Sequence, residues 1–180
     1  MRKIVAGLFI SLDGVVESPE QWHFPYWSDE MGEAIGSQMA ASDAMLLGRV
    51  TYQEFASYWP QQGSDVEMAD YMNAAPKYVV STTLTSADWQ NSTLINGDVN
   101  AALTALKQEP GKDISITGSA TLVRTLLRDG LLDELRLLVH PIVVGRGKRL
   151  FPDGVEQMGL KLTDSQTFPT GVLNLTYQPA

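Results

Sequence analysis

The stretch Asp113–Leu127, Asp-Ile-Ser-Ile-Thr-Gly-Ser-Ala-Thr-Leu-Val-Arg-Thr-Leu-Leu, constrains the fold more than any other part of the chain. Ile114 and Ile116 alternate as in a short strand, the chain turns at Gly118-Ser119, and Leu122, Val123, Leu126 and Leu127 recur at helical spacing. A strand that runs straight into a helix is the repeating unit of an α/β sheet. At such a turn the first helical N–H groups lack partners, the helix dipole favours an anion, and Gly118 has no Cβ to hold a ligand off the backbone. A nucleotide phosphate meets these conditions. A plain βα turn meets them as well, and neither a Rossmann nor a Walker pattern occurs in the chain to decide between them.

Residues 3–10 are apolar almost throughout, as in a strand covered on both faces, and Ser11-Leu12-Asp13-Gly14 forms its exit. Asp13 is either an Asx-turn residue beside Gly14 or an acid at the carboxyl end of a strand, where open α/β sheets bind ligands. The non-periodic segment 17–28 carries Trp22, His23, Phe24, Tyr26 and Trp27. Trp22, Tyr26 and Trp27 suit the walls of a pocket for a flat ring, and equally suit anchors of a long loop or a subunit interface. The chain has two histidines, His23 and His140, too few to propose a metal site.

Ser28 or Asp29 caps a helix to about Ala41, with Met31, Ile35 and Met39 on its apolar face and Glu30 and Glu33 in its first turns. Ala44–Leu47 is a second buried strand, and Gly48-Arg49-Val50-Thr51 turns into a helix bearing Tyr52, Phe55 and Tyr58. Here the Arg49 guanidinium matches a phosphate, and Thr51 is placed to cap the helix. A weaker helical stretch covers Asp65–Tyr71, and Lys77–Val80 is a strand that ends in the hydroxyls of Ser81, Thr82 and Thr83. Leu94-Ile95 marks a short strand, and Asp98 caps a helix over Val99–Lys107. Leu131–His140 reads as a long strand that Pro141–Val144 continues after a break. The run Gly145-Arg-Gly-Lys-Arg149 suits a flexible turn, a second anion site or a subunit contact. Leu160 and Leu162, then Val172, Leu173, Leu175 and Tyr177, form two closing antiparallel strands around the Pro169–Gly171 turn.

These elements predict one α/β domain over residues 1–180 with a mostly parallel central sheet. The absence of cysteine excludes disulfides and thiolate chemistry. The net charge of −8 disfavours nucleic acid and anionic membrane as partners while leaving room for a local phosphate site. The apolar run at the N-terminus is too short for a signal peptide, so the expected location is the cytoplasm.

Taken in order, the pieces resemble the dihydrofolate reductase-like fold, most closely the bacterial proteins grouped with the C-terminal reductase domain of riboflavin biosynthesis. The resemblance rests on Ser11–Gly14, Leu47–Tyr52, Val80-Ser81-Thr82, Ile116–Ala120, and His140–Gly147 followed by Leu150-Phe151. It implies a three-layer fold with antiparallel C-terminal strands, NADPH as cofactor, a small heterocyclic substrate and a homodimer. It places Gly48, Arg49 and Thr51, Ser81 or Thr82, and Gly118, Ser119, Ala120 and Thr121 against the cofactor phosphates, and Ala6 beside the nicotinamide. It keeps Asp13 as an acid facing substrate. Where folate enzymes carry an acid in the first helix this chain has Gly32, with Asp29, Glu30 and Glu33 around it. True dihydrofolate reductase activity, or a non-catalytic nucleotide-binding protein on the same fold, are the alternative readings.

Overall fold

Eight strands in the order β4-β3-β2-β5-β1-β6-β8-β7 form the centre of the protein in the computed structural model, which describes residues 1–180. The strands are β1 (Ile4–Ser11), β2 (Ser42–Gly48), β3 (Lys77–Val80), β4 (Ser92–Ile95), β5 (Asp113–Ile116), β6 (Glu134–His140), β7 (Leu160–Thr167) and β8 (Leu173–Pro179). The first six in sheet order pair in parallel, and β8 and β7 close the sheet antiparallel. The helices are α1 (Asp29–Ala40), α2 (Arg49–Tyr58), α3 (Ala69–Ala74), α4 (Val99–Gln108) and α5 (Ala120–Arg128). None of them is long and apolar enough to cross a membrane.

Strand alternation sorts the core into two faces. Ile4, Ala6, Leu8 and Ile10 of β1 point with Ile114 and Ile116 towards Leu103 and Leu106 of α4 and Leu122, Val123 and Leu126 of α5. The opposite face buries Met45, Leu47 and Val79 under Tyr52 of α2, Met72 of α3 and Trp89, and packs Phe9 beneath Met31 of α1. The result is a three-layer α/β arrangement with a mostly parallel sheet, as the sequence predicts.

Three boundaries move. The strand expected from Leu131 begins at Glu134, because the N–H groups of Leu131 and Leu132 still bond Leu126 O at the end of α5. It ends at His140, since Pro141 brings no N–H and the following residues peel away towards Asp13. The stretch predicted as helical over Asp65–Tyr71 is helical only from Ala69, after Met68 takes a left-handed backbone with φ 72°.

Candidate active site

The carboxyl ends of β3, β2, β5 and β1 lie in one row, and two of the turns leaving them lock together. Ser119 adopts a left-handed backbone at φ 68°, ψ 65°, which turns its hydroxyl across to the neighbouring strand exit. There Ser119 Oγ accepts from Gly48 N at 2.8 Å and donates to Thr51 Oγ1 at 3.0 Å. Both glycines serve this junction. A Cβ on Gly48 would stand 2.7 Å from Ser119 Oγ, and one on Gly118 would stand 3.1 Å from Thr51 Cγ2 and Oγ1. Gly118 therefore admits Thr51 rather than only a ligand, and Thr51 braces the turn instead of capping its helix.

Neither α2 nor α5 has a side-chain cap, so two sets of unpaired helical N–H groups open side by side. Arg49, the first residue of α2, is exposed, and its guanidinium donates to Gln53 Oε1 at 3.0 Å. The ion pairs of the chain lie elsewhere, at Arg2–Asp43, Lys3–Glu134–Arg136, Lys107–Asp133 and Arg128–Asp129. Two helix N-termini beside an arginine free of carboxylates fit an anion of the phosphate class. Ala120 and Thr121 begin α5 in the same corner. At the end of β3, Ser81 Oγ is spent inside its own turn, accepting from Thr83 N at 3.2 Å and Leu84 N at 3.0 Å, which leaves the exposed Thr82 as the available hydroxyl.

Next to this corner, β1 pairs with β5 only as far as Ala6↔Ile116, then continues to Ser11 with β6 as its single partner. Between β1 and the 117–119 turn the sheet therefore opens. Ala6, which the resemblance places beside the nicotinamide, has no exposed surface, main chain included, and the exposed part of this edge begins at Gly7.

Asp13 stands at the far end of β1 with both carboxylate oxygens engaged. Oδ1 accepts from Ser11 Oγ at 2.6 Å and Val144 N at 3.0 Å, and Oδ2 accepts from Gly145 N at 2.8 Å. The hydroxyl of Ser11, then the two N–H groups, hold this carboxyl down at about 2. It is a carboxylate that pins the 144–149 loop. Glu17 Oε2 adds a second pin on Lys148 N at 3.0 Å. The basic run is thus strapped along residues 13–17, with a β-bridge joining Val15 and Arg149.

On α1, Ser28 Oγ caps Met31 N at 3.2 Å, so Asp29, Glu30 and Glu33 are not needed for capping. Asp29 and Glu33 are exposed and Glu30 is half-buried. The Trp27 ring lies 3.1 Å from where a Cβ on Gly32 would sit, so the indole fills the place of a side chain there.

Of the three aromatic residues predicted to wall a pocket, Trp22 is buried with its Nε1 donating to Glu17 O, Tyr26 is half-buried, and Trp27 is 48% exposed. They gather on His23 and His140, a pair considered above only as metal ligands. His23 stacks on Phe9 at 4.6 Å between ring centroids, and His140 meets the rings of Phe9, Trp22 and Tyr26 nearly at right angles. The two imidazoles lie 6.1 Å apart. His140 Nδ1 faces Leu138 O at 2.8 Å, while His140 Nε2 and His23 Nδ1 are buried without a partner. Burial pushes both imidazoles below their usual range, so both are neutral near pH 7. The signal available in the sequence was position: His140 ends β6 opposite Ser11, so a loop folding back over β1 must meet it.

With this geometry in hand, the chain can be compared with known proteins. It is 32% identical to the uncharacterized protein YyaP of Bacillus subtilis over 180 residues, covering 98% of this chain and 94% of that one. A putative riboflavin biosynthesis protein from Shewanella sp. PV-4 superposes with a TM-score of 0.80 at 18% identity, covering 99% of both chains. Dihydrofolate reductase from Enterococcus faecalis, complexed with NADP(H), superposes with a TM-score of 0.64 at 13% identity, covering 98% of this chain and 96% of that one. These likenesses identify the three-layer architecture as dihydrofolate reductase-like. The family model of the RibD C-terminal domain matches residues 2–174, which takes in the interlocked turns, the open edge of β1 and the strapped basic loop, and the chain belongs to that family.

Proposed function

We propose that the protein is an NADPH-dependent reductase that delivers a hydride to a small heterocyclic substrate of the pterin or flavin-precursor type. The observation that carries this reading is the junction of α2 and α5, where two uncapped helix N-termini meet beside an arginine without a carboxylate partner. Arg49 pairs with the 2′-phosphate, with Thr82 adding a hydroxyl and Ser81 holding the turn. The N–H groups around Gly48 and from Gly118 to Thr121 hold the pyrophosphate. Thr51 and Ser119 keep the two helix ends in register. The bound cofactor supplies the hydride; the chain supplies position and exclusion of water.

The ring then lies along the free edge of β1 from Gly7 onward, facing α1 and the aromatic segment that ends in Tyr26 and Trp27. Trp22 supports that wall from within. Asp13 stays ionised and fixes the 144–149 loop at the rim, and Glu30 and Glu33 of α1 are the other carboxyls on the substrate side. The indole of Trp27 over Gly32 argues against a folate-type acid at that place and favours a reductase of another heterocycle. A homodimer and a cytoplasmic location belong to the same reading.

Titration with NADPH and NADH tests it. Arg49→Ala weakens NADPH by about 30-fold, the loss of a charge-assisted contact worth ~2 kcal/mol, and leaves NADH unchanged. Equal losses for the two cofactors would remove Arg49 from the 2′-phosphate site.

A further inference from the structure

Two local rules of residue placement are broken opposite one another at the open edge of β1. On α1 the stripe that faces the sheet runs through buried Met31 and half-buried Ala34 and Ile35, and its next position is Gln38. On β1 the same face carries Val5 and Phe9, and the position between them is Gly7. A carboxamide thus ends an apolar helical stripe, and a glycine interrupts an apolar strand face. They touch. A Cβ on Gly7 would lie 2.5 Å from both Nε2 and Oε1 of Gln38 and 2.9 Å from its Cδ, so glycine lets the carboxamide rest against the strand where a larger residue would push it aside. Gly7 is also the first residue of β1 beyond the last one paired with β5.

A leucine at 38 over an alanine at 7 would extend the core and satisfy the binary pattern. Departures of this kind concentrate where a chain trades packing for function. A primary amide presents a donor and an acceptor in one plane, which complements an amide or lactam edge.

We propose that Gln38 is a specificity residue, recognising the carboxamide or lactam edge of a planar ring held beside Gly7 at the open edge of β1. The inference rests on the reductase reading above, and such an edge has two sources: the nicotinamide of the cofactor and the heterocyclic substrate.

The experiment compares wild type with Gln38→Leu and Gln38→Met. Three probes are titrated by calorimetry: NADP+, its 3-acetylpyridine analogue, in which a ketone replaces the amide, and lumazine added to NADPH-saturated protein. If the cofactor is the source, both variants lose about tenfold or more in NADP+ affinity and lose distinctly less for the acetylpyridine analogue, whose ketone keeps the acceptor and lacks the donor that pairs with Gln38 Oε1. If the substrate is the source, both variants keep NADP+ and lose about tenfold for lumazine. In either case the melting temperature holds or rises, because an apolar side chain continues the stripe. Wild-type affinity for every probe in both variants overturns the proposal. So does a fall in melting temperature with affinities intact, which marks Gln38 as a packing residue. Failure of wild type itself to bind NADP+ would instead sink the reductase reading, and this inference with it.

Discussion

Lys77 opens β3 as a lysine with no exposed surface and no carboxylate partner. Its Nζ donates to the carbonyls of Asn73 and Ala75 at 2.9 Å and of Gln90 at 3.0 Å, and it lies 4.0 Å from the centroid of the Trp89 ring. Three acceptors require three N–H groups, so the geometry is that of an ammonium. Lys77→Met keeps the length of the side chain and removes all three donors. Asn73 O retains Gln90 Nε2 at 2.7 Å, so the loss falls on Ala75 and Gln90. At roughly 1–3 kcal/mol for each carbonyl stripped of its partner, less the relief of no longer burying a charge, the net destabilisation is about 3 kcal/mol. For a chain of this size that lowers the melting temperature by about 6–12 °C.

Burial pushes the ammonium down to about 8 from 10.5, which supplies a second signature. Below about 8 both states hold the proton and the folded one carries the cost of burying it. Between about 8 and 10.5 the folded chain releases the proton first, and stability rises with pH. Urea unfolding at pH 7.5 and 9.5 should therefore show a gap between wild type and Lys77→Met that widens at the higher pH. A variant as stable as wild type at both pH values would refute the reasoning, since the burial cost would then offset the three bonds and the Trp89 contact in full.

The remaining predictions concern the rim of the site. Asp13→Asn turns an amide N–H towards an N–H of Val144 or Gly145, so it should lower the melting temperature and loosen the 144–149 loop, read as faster hydrogen exchange at those amides. Because the Asp13 carboxyl is held at about 2 against 3.8 in the unfolded chain, its contribution is present above about pH 4 and is lost as pH falls towards 2; acid titration of wild type and variant that run parallel there would contradict this. His23 and His140 are pushed down from 6.5 by burial, so their contribution is complete above that pH and declines as the unfolded chain takes up protons below it. Replacing either by Phe should flatten the loss of stability as pH falls below 6.5, as followed by tryptophan fluorescence.

Much of this protein was legible from periodicity. The alternation of Ile114 and Ile116 and the helical spacing of Leu122, Val123, Leu126 and Leu127 each describe a segment whose neighbours in sequence decide its form, and β5 and α5 stand as read. The capping roles of Ser28 and Asp98 are local as well, and both side chains accept from the N–H three residues on. Boundaries were less legible where the deciding partner is distant: β6 starts late because α5 still holds Leu131 and Leu132, and it stops at His140 because Pro141 has no donor.

The tertiary structure alone decided which residues meet. Nothing near Gly118 in sequence announces that Thr51, in another βα unit, fills the space of its missing Cβ. Asp13 reads as a turn residue or a substrate acid, and nothing near it in sequence announces that the N–H groups of Val144 and Gly145, from the loop after β6, bond its oxygens. His23 and His140 looked isolated because they are separated by most of the chain, and parallel pairing of β1 with β6 brings them together under the aromatic segment. The physical reason is the same in each case. Hydrophobic period is a property of one segment and its solvent, whereas the environment of a polar side chain depends on which distant segments the sheet order places beside it.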